Sequence, residues 1–176
     1  MRRSRARREA ERLLERCGID HVPVDLPAIA RELGLRVLRE RLGVGISGLL
    51  VRTGEGTHIC VAAGDPPTRR RFTVAHEIGH HVLGHEFEPG EHVHVDRGTY
   101  VLQRGTRASE GVDPQEIEAN HFAACLLMPP QLVEREVASL DVPQLSEAHV
   151  SALARTFGVS EQSMAIRLTS LGLLSQ

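Results

Sequence analysis

The stretch RRRFTVAHEIGHHVLGH, residues 69–85, decides the reading of this chain. From about Thr68 to Gly84 the pattern is helical: Phe72, His76 and Leu83 share one side, with Gly79 between them and Ala75 at the edge. On such a helix His76 and His80 stand one turn apart on one face, so both imidazoles can reach a single Zn²⁺. Glu77 lies about 100° round from His76, close enough to hold a water on that ion and take its proton. The apolar bulk of Phe72 and Leu83 turns the pair toward the interior. In a chain rich in His and Glu an HExxH arises by chance more readily than in an average sequence, so its weight comes from its surroundings. The competing reading is a helix with two histidines at the core edge, satisfied by backbone carbonyls.

Outward from this helix the period changes. Upstream, Leu35 with Val37 and Leu38, then Ile46 to Val51, then His58 to Ala62 are β-rich runs, and Thr53-Gly54-Glu55-Gly56 is a hairpin signal between the last two. Such short runs predict a small antiparallel sheet of about three strands beside the zinc-binding helix. Earlier still, residues 5–17 set Ala10, Leu13, Leu14 and Cys17 at helical spacing before Gly18, and Asp25 caps a second helix that Gly34 ends. Downstream, residues 85–112 lack helical periodicity and read as a long surface excursion, of the kind that commonly carries function, with a short extended piece at His92 to Val95. Helical patterning returns at 114–128, 131–139, 145–157 and 160–172. The fold class is therefore α+β, mainly helical. With no repeat and no low-complexity linker, residues 1–176 are expected to form a single domain, with a basic helix or arm at 1–18 and a helical pair at 145–176.

Composition removes whole chemistries. All 21 basic residues are Arg, against 23 acidic ones, and the formal charge is −2. Without Lys there is no P-loop lysine, no Schiff base and no Ser-Lys dyad. One Tyr, four Phe and no Trp leave no stacking platform for single-stranded nucleic acid. Cys17, Cys60 and Cys125 lie far apart and form no CxxC pair, as expected of buried thiols in a reducing compartment. Five Arg fall in the first eight residues, but Glu9, Glu11 and Glu15 follow and no apolar signal-peptide run appears. No stretch reaches the 18 or so apolar residues of a membrane span, so a cytoplasmic protein is expected. The basic arm reads as a solvated helix start rather than a nucleic-acid contact.

A hydrolytic zinc site needs a third protein ligand and an open position. The helix opened by Asp113 and Pro114 offers two glutamates. Ala119, Phe122, Ala123, Leu126 and Leu127 define its apolar face; Glu116 falls within roughly 50° of the centre of that face and Glu118 more than about 100° away. Glu116 is then a carboxylate aimed at the core, where a metal ion would compensate it. Asn120, one turn on, could accept the free N–H of a ligating imidazole. The alternative is a plain capping box, with Glu116 reaching back to Asp113.

Residues 69–85, followed by EIEANHFAACLLMP at 116–129, resemble the ImmA/IrrE family of bacterial zinc metallopeptidases. The resemblance extends to VDLPAIARELGLRV at 24–37 and FGVSEQSMAIRLTSLGL at 157–173, with one departure at Ala62-Ala63, where relatives commonly carry Asn. It implies a gluzincin-like site in which His76, His80 and Glu116 hold one Zn²⁺ per chain and Glu77 is the base. These are the assignments that helix geometry also reaches. It further implies a protein substrate, a helix-turn-helix repressor whose cleavage relieves repression of mobile-element or stress-response genes. Tyr100, His92, His94 and His121 are candidates for a second group at the oxyanion or a substrate contact. His81 and His85, on other faces of the zinc helix, read as surface residues.

Two rival functions are set against this. Residues 153–174 could form a helix-turn-helix, but only Arg155 and Arg167 are available for DNA and Glu161 stands where phosphate should come, so packing is favoured and direct nucleic-acid binding is not expected. An antirepressor that binds without cutting is the other; an intact HExxH with a buried Glu argues against it.

Overall fold

A computed structural model describes residues 2–85, 93–96 and 113–174. Helix α1 (Arg2–Arg16) comes first, followed by α2 (Leu26–Glu32), whose N-terminus is capped by Asp25 Oδ1 accepting from Ala28 N at 2.9 Å. Strands β1 (Leu35–Glu40), β2 (Gly48–Thr53) and β3 (Gly56–Ala62) precede α3 (Pro67–Val82). Strand β4 (Val93–Asp96) leads to α4 (Pro114–Leu127), α5 (Pro130–Ala138), α6 (Glu147–Phe157) and α7 (Glu161–Ser170). The fold is α+β and mainly helical, as the patterning predicts. None of the described helices is long and apolar enough to cross a membrane.

The sheet differs from expectation in two respects. It has four strands in the order β1-β3-β2-β4, and it is mixed, because β1 pairs parallel with β3 while β2 pairs antiparallel with both β3 and β4. The β2–β3 hairpin turns where Thr53 opposes Gly56, as its residues predict. The connection at 41–47, however, carries the chain past the place that β3 will fill, so β1 and β2 are not neighbours. The fourth strand arrives only after α3 and adds to β2 with Leu50 opposite His94. Pairing between strands separated by a whole helix leaves no mark in local periodicity.

Helix α3 lies against the inner face of β2 and β3, where Leu50, Ile59 and Val61 are buried. Helix α4 packs on its other side, and α1 covers α4 in turn through Ala6, Ala10 and Leu13. Both α3 and α4 are therefore central helices. Every residue from Phe72 to His80 is buried, and so are the residues of α4 from Phe122 to Leu127. The C-terminal pair is pinned from two sides. Arg167 on α7 is buried and donates from Nε to Met128 O at 2.9 Å. A Cβ built on Gly158 would stand 2.9 Å from Arg71 Nε, and the same guanidinium donates to Val24 O at 2.9 Å. Gly158 also sits at φ +65°, so this position takes glycine for both reasons.

Candidate metal centre

His76 and His80 project from the middle of α3, wholly out of solvent, with their Nε2 atoms 3.0 Å apart. Glu116 reaches them from the first turn of α4: Oε2 lies 3.2 Å from His76 Nε2 and Oε1 3.1 Å from His80 Nε2. Asp113 caps α4 by accepting from Gln115 N at 2.8 Å, while the Glu116 side chain is turned to the imidazoles. Asn120 Oδ1 stands 3.0 Å from His76 Nδ1.

Strand β4 adds a further imidazole. Opposed residues of an antiparallel pair share a face, and Leu50, opposite His94, is fully buried toward α3. His94 consequently enters the same cluster, with Nε2 3.2 Å from Glu116 Oε1 and its ring 4.1 Å from that of His80. One donor atom from each of His76, His80, His94 and Glu116 lies within 4.8 Å of the others. His92 and Tyr100 lie outside the described residues. His121 is not in the cluster; its Nε2 lies 3.7 Å from Cys125 Sγ.

The donor set fits a small cation. Ligands about 2.0–2.2 Å from a tetrahedral ion are separated from one another by roughly 3.3–3.5 Å, and the spacings of 3.0–3.2 Å come close to that. Burial pushes the His80 imidazole down to about 3, against the opposing pull of the Glu116 carboxylate, so it stays neutral with a lone pair for a ligand bond. Burial alone would raise the Glu116 carboxyl, but the close approach of the His76, His80 and His94 imidazoles holds it well below the usual carboxylate range. Glu77 is fully buried beside the pair. The space around it is close, since a Cβ on Gly48 of β2 would stand 3.1 Å from Glu77 Oε1 and 2.3 Å from Thr73 Cγ2. Glycine at 48 lets the strand approach the helix at the level of that carboxylate.

Two expectations about neighbouring residues fail. Glu118, read as lying well off the apolar face of α4, is nonetheless only 3% exposed; it faces α1, where Arg5 Nη1 lies 3.8 Å from Oε1. A helical wheel assumes one buried face, whereas α4 has helices on two sides. His85 is likewise buried rather than on the surface. The end of α3 explains it: Gly84 at φ +64° turns the chain, Gly84 N bonds His81 O at 3.2 Å and His85 N bonds His80 O at 3.0 Å. This Schellman turn folds the residue after the glycine back over the last helical turn. The signal was present in sequence as a glycine between Leu83 and His85, but a wheel projected through the helix end does not register it.

Paired imidazoles on one central helix, a carboxylate from a second and a buried glutamate beside them make up the donor arrangement of a metal-dependent hydrolase. The chain belongs to the Peptidase M78 family, whose IrrE N-terminal-like domain matches residues 30–169. It is thus a peptidase by family, acting on a protein chain. No curated protein matches the sequence.

Proposed function

We propose that this chain is a zinc-dependent endopeptidase, a single cytoplasmic domain that cleaves a helix-turn-helix repressor and so relieves repression of mobile-element or stress genes. The observation that carries this reading is the convergence of His76, His80 and Glu116 from two helices within ligand distance, beside the buried Glu77. His76 and His80 through Nε2, and Glu116 through its carboxylate, would hold the ion. When bound, Zn²⁺ supplies a Lewis acid that polarises the scissile carbonyl and acidifies water. Glu77 takes the proton of the attacking water and passes it to the leaving amine. Packing against β2 at Gly48 fixes where that carboxylate sits. Asn120 accepts from His76 Nδ1 and leaves Nε2 free as ligand. Of the two oxyanion candidates among the described residues, His94 and His121, His94 is the one in the cluster, and we assign it that contact. The repressor as substrate rests on the family resemblance.

Purified protein is expected to hold about one zinc per chain and to lose it in His80→Ala and Glu116→Ala. Co-incubation with the repressor encoded by the adjacent gene should give a discrete cleavage that Glu77→Gln abolishes. A metal-free wild type that still cuts would refute the reading. If Glu77→Gln relieves repression as well as wild type does, binding without cleavage is the function. DNA binding through 145–176 is disfavoured by a specific observation, since Arg167, one of its two arginines, is buried on Met128 O.

A further inference from the structure

A chain of contacts runs from the metal cluster to the N-terminal helix. His80 turns Nε2 to Glu116 and Nδ1 to His85 Nδ1, 3.0 Å away. His85 Nε2 lies 3.4 Å from Glu118 Oε2, and the other oxygen of Glu118 lies 3.8 Å from Arg5 Nη1. Arg5 also donates from Nη2 to Leu83 O at 2.7 Å, in the turn that carries His85. On the far side Arg52 of β2 donates to His85 O at 3.2 Å. His85 is thereby held through its amide, its carbonyl and both ring nitrogens. His85 and Glu118 are 5% and 3% exposed.

From this geometry we infer that Glu118 and His85, braced by Arg5, are positioning residues that hold His80 in the tautomer and orientation needed to bind the metal ion. The inference rests on the metal site proposed above. Its logic is the proton count along the chain. For His80 Nε2 to offer a lone pair, its proton must sit on Nδ1, and that N–H must find an acceptor. The acceptor is His85 Nδ1, which is free of a proton only when His85 carries its own on Nε2. Glu118 accepts from Nε2–H and so selects that tautomer. With Glu118 or His85 removed, the His80 proton loses its reason to stay on Nδ1, and the ligating lone pair is no longer guaranteed. Arg5, 3.8 Å from its other oxygen, orients the Glu118 carboxylate. Arg5 belongs to α1, before the matched segment 30–169, so the basic N-terminal helix acquires a function at the metal site instead of at nucleic acid.

The test is release of Co²⁺ from the full-length protein into excess chelator, followed by the visible absorption of the bound ion, with circular dichroism as the check on folding. His85→Phe keeps a ring but no acceptor, and release is expected to quicken about tenfold or more, with a shifted Co²⁺ band. Glu118→Leu should act in the same direction. His85→Asn places an amide oxygen where Nδ1 stood, and should bring release back to within about threefold of wild type, although it packs less well than Phe. Arg5→Ala, at a half-exposed side chain, should quicken release about threefold, and not at all in the Glu118→Leu background. Folded His85→Phe and Glu118→Leu proteins that release Co²⁺ at the wild-type rate overturn the inference, as does His85→Asn releasing as fast as His85→Phe. Where the buried variants do not fold, an Arg5→Ala protein with unchanged release overturns it. A wild type that takes up no Co²⁺ refutes the metal site itself, which is a different failure.

Discussion

Gly48 and His94 both lie on strands, yet each acts on the helix beneath. A Cβ at position 48 would meet Thr73 Cγ2 at 2.3 Å, and Thr73 is fully buried with nowhere to retreat. Gly48→Ala is therefore expected to cost about 1–3 kcal/mol in overpacking and to displace Glu77, lowering peptidase activity while zinc content stays near one per chain. Denaturant unfolding and metal analysis on the same sample check both halves. His94→Ala should keep the zinc and lower kcat by about 10²–10³ with little change in KM, as for loss of an oxyanion contact. Loss of zinc in that variant would make His94 a ligand instead. At this scale sequence reading reaches His76, Glu77, His80 and Glu116, which the structure brings together, because three share one helix and the fourth follows a clear N-cap. It misplaces Glu118 and His85, whose surroundings come from α1 and from a glycine turn.

Helices α3 and α4 must approach closely for Glu116 to meet both imidazoles. Gly79 makes the approach, since a Cβ there would lie 3.0 Å from Phe122 Cδ1 and 3.3 Å from Ala119 O. Gly79→Ala gains about 1 kcal/mol of intrinsic helix preference but sets a methyl against backbone. The close contact is expected to win: the helices separate, and zinc is released about tenfold faster because Glu116 is drawn off the pair. A Gly79→Ala protein that is more stable and binds zinc unchanged would contradict this. Element boundaries are largely legible in the sequence, because Asp25, Asp113, the prolines and the glycines mark helix ends by local chemistry. Strand order is not. It depends on which edge of β2 remains open when the chain returns from α3, and no local pattern encodes that.

For the whole molecule, the proposed metal ion and the proton would compete for the same imidazoles and carboxylate. In the metal-free protein burial pushes His80 down to about 3, and burial also lowers His85, against its hydrogen bond to Glu118. Imidazole in the unfolded chain titrates near 6.5, so below that pH the unfolded state binds protons that the folded state refuses. The stabilising contribution of these neutral histidines is complete above about pH 6.5 and is lost as pH falls toward their folded values. The thermal midpoint of metal-free protein should be level from pH 8 to about 7 and drop steadily below about 6; a flat profile to pH 4 would contradict it. Zinc at a free concentration a hundred times its Kd should stabilise the fold by about 2.7 kcal/mol near neutral pH, and chelation should reverse this.

Spacing along the chain determined the pair of imidazoles, the glutamate beside them and the capped helix that brings Glu116, because i,i+4 geometry and end-capping are local and survive in any tertiary setting. The tertiary structure alone decided that the sheet is mixed, that His94 joins the cluster, and that His85, Glu118 and Arg5 stand in line behind His80. Those outcomes depend on burial from several directions at once. A helix packed on two sides, like α4, has no single face for periodicity to reveal.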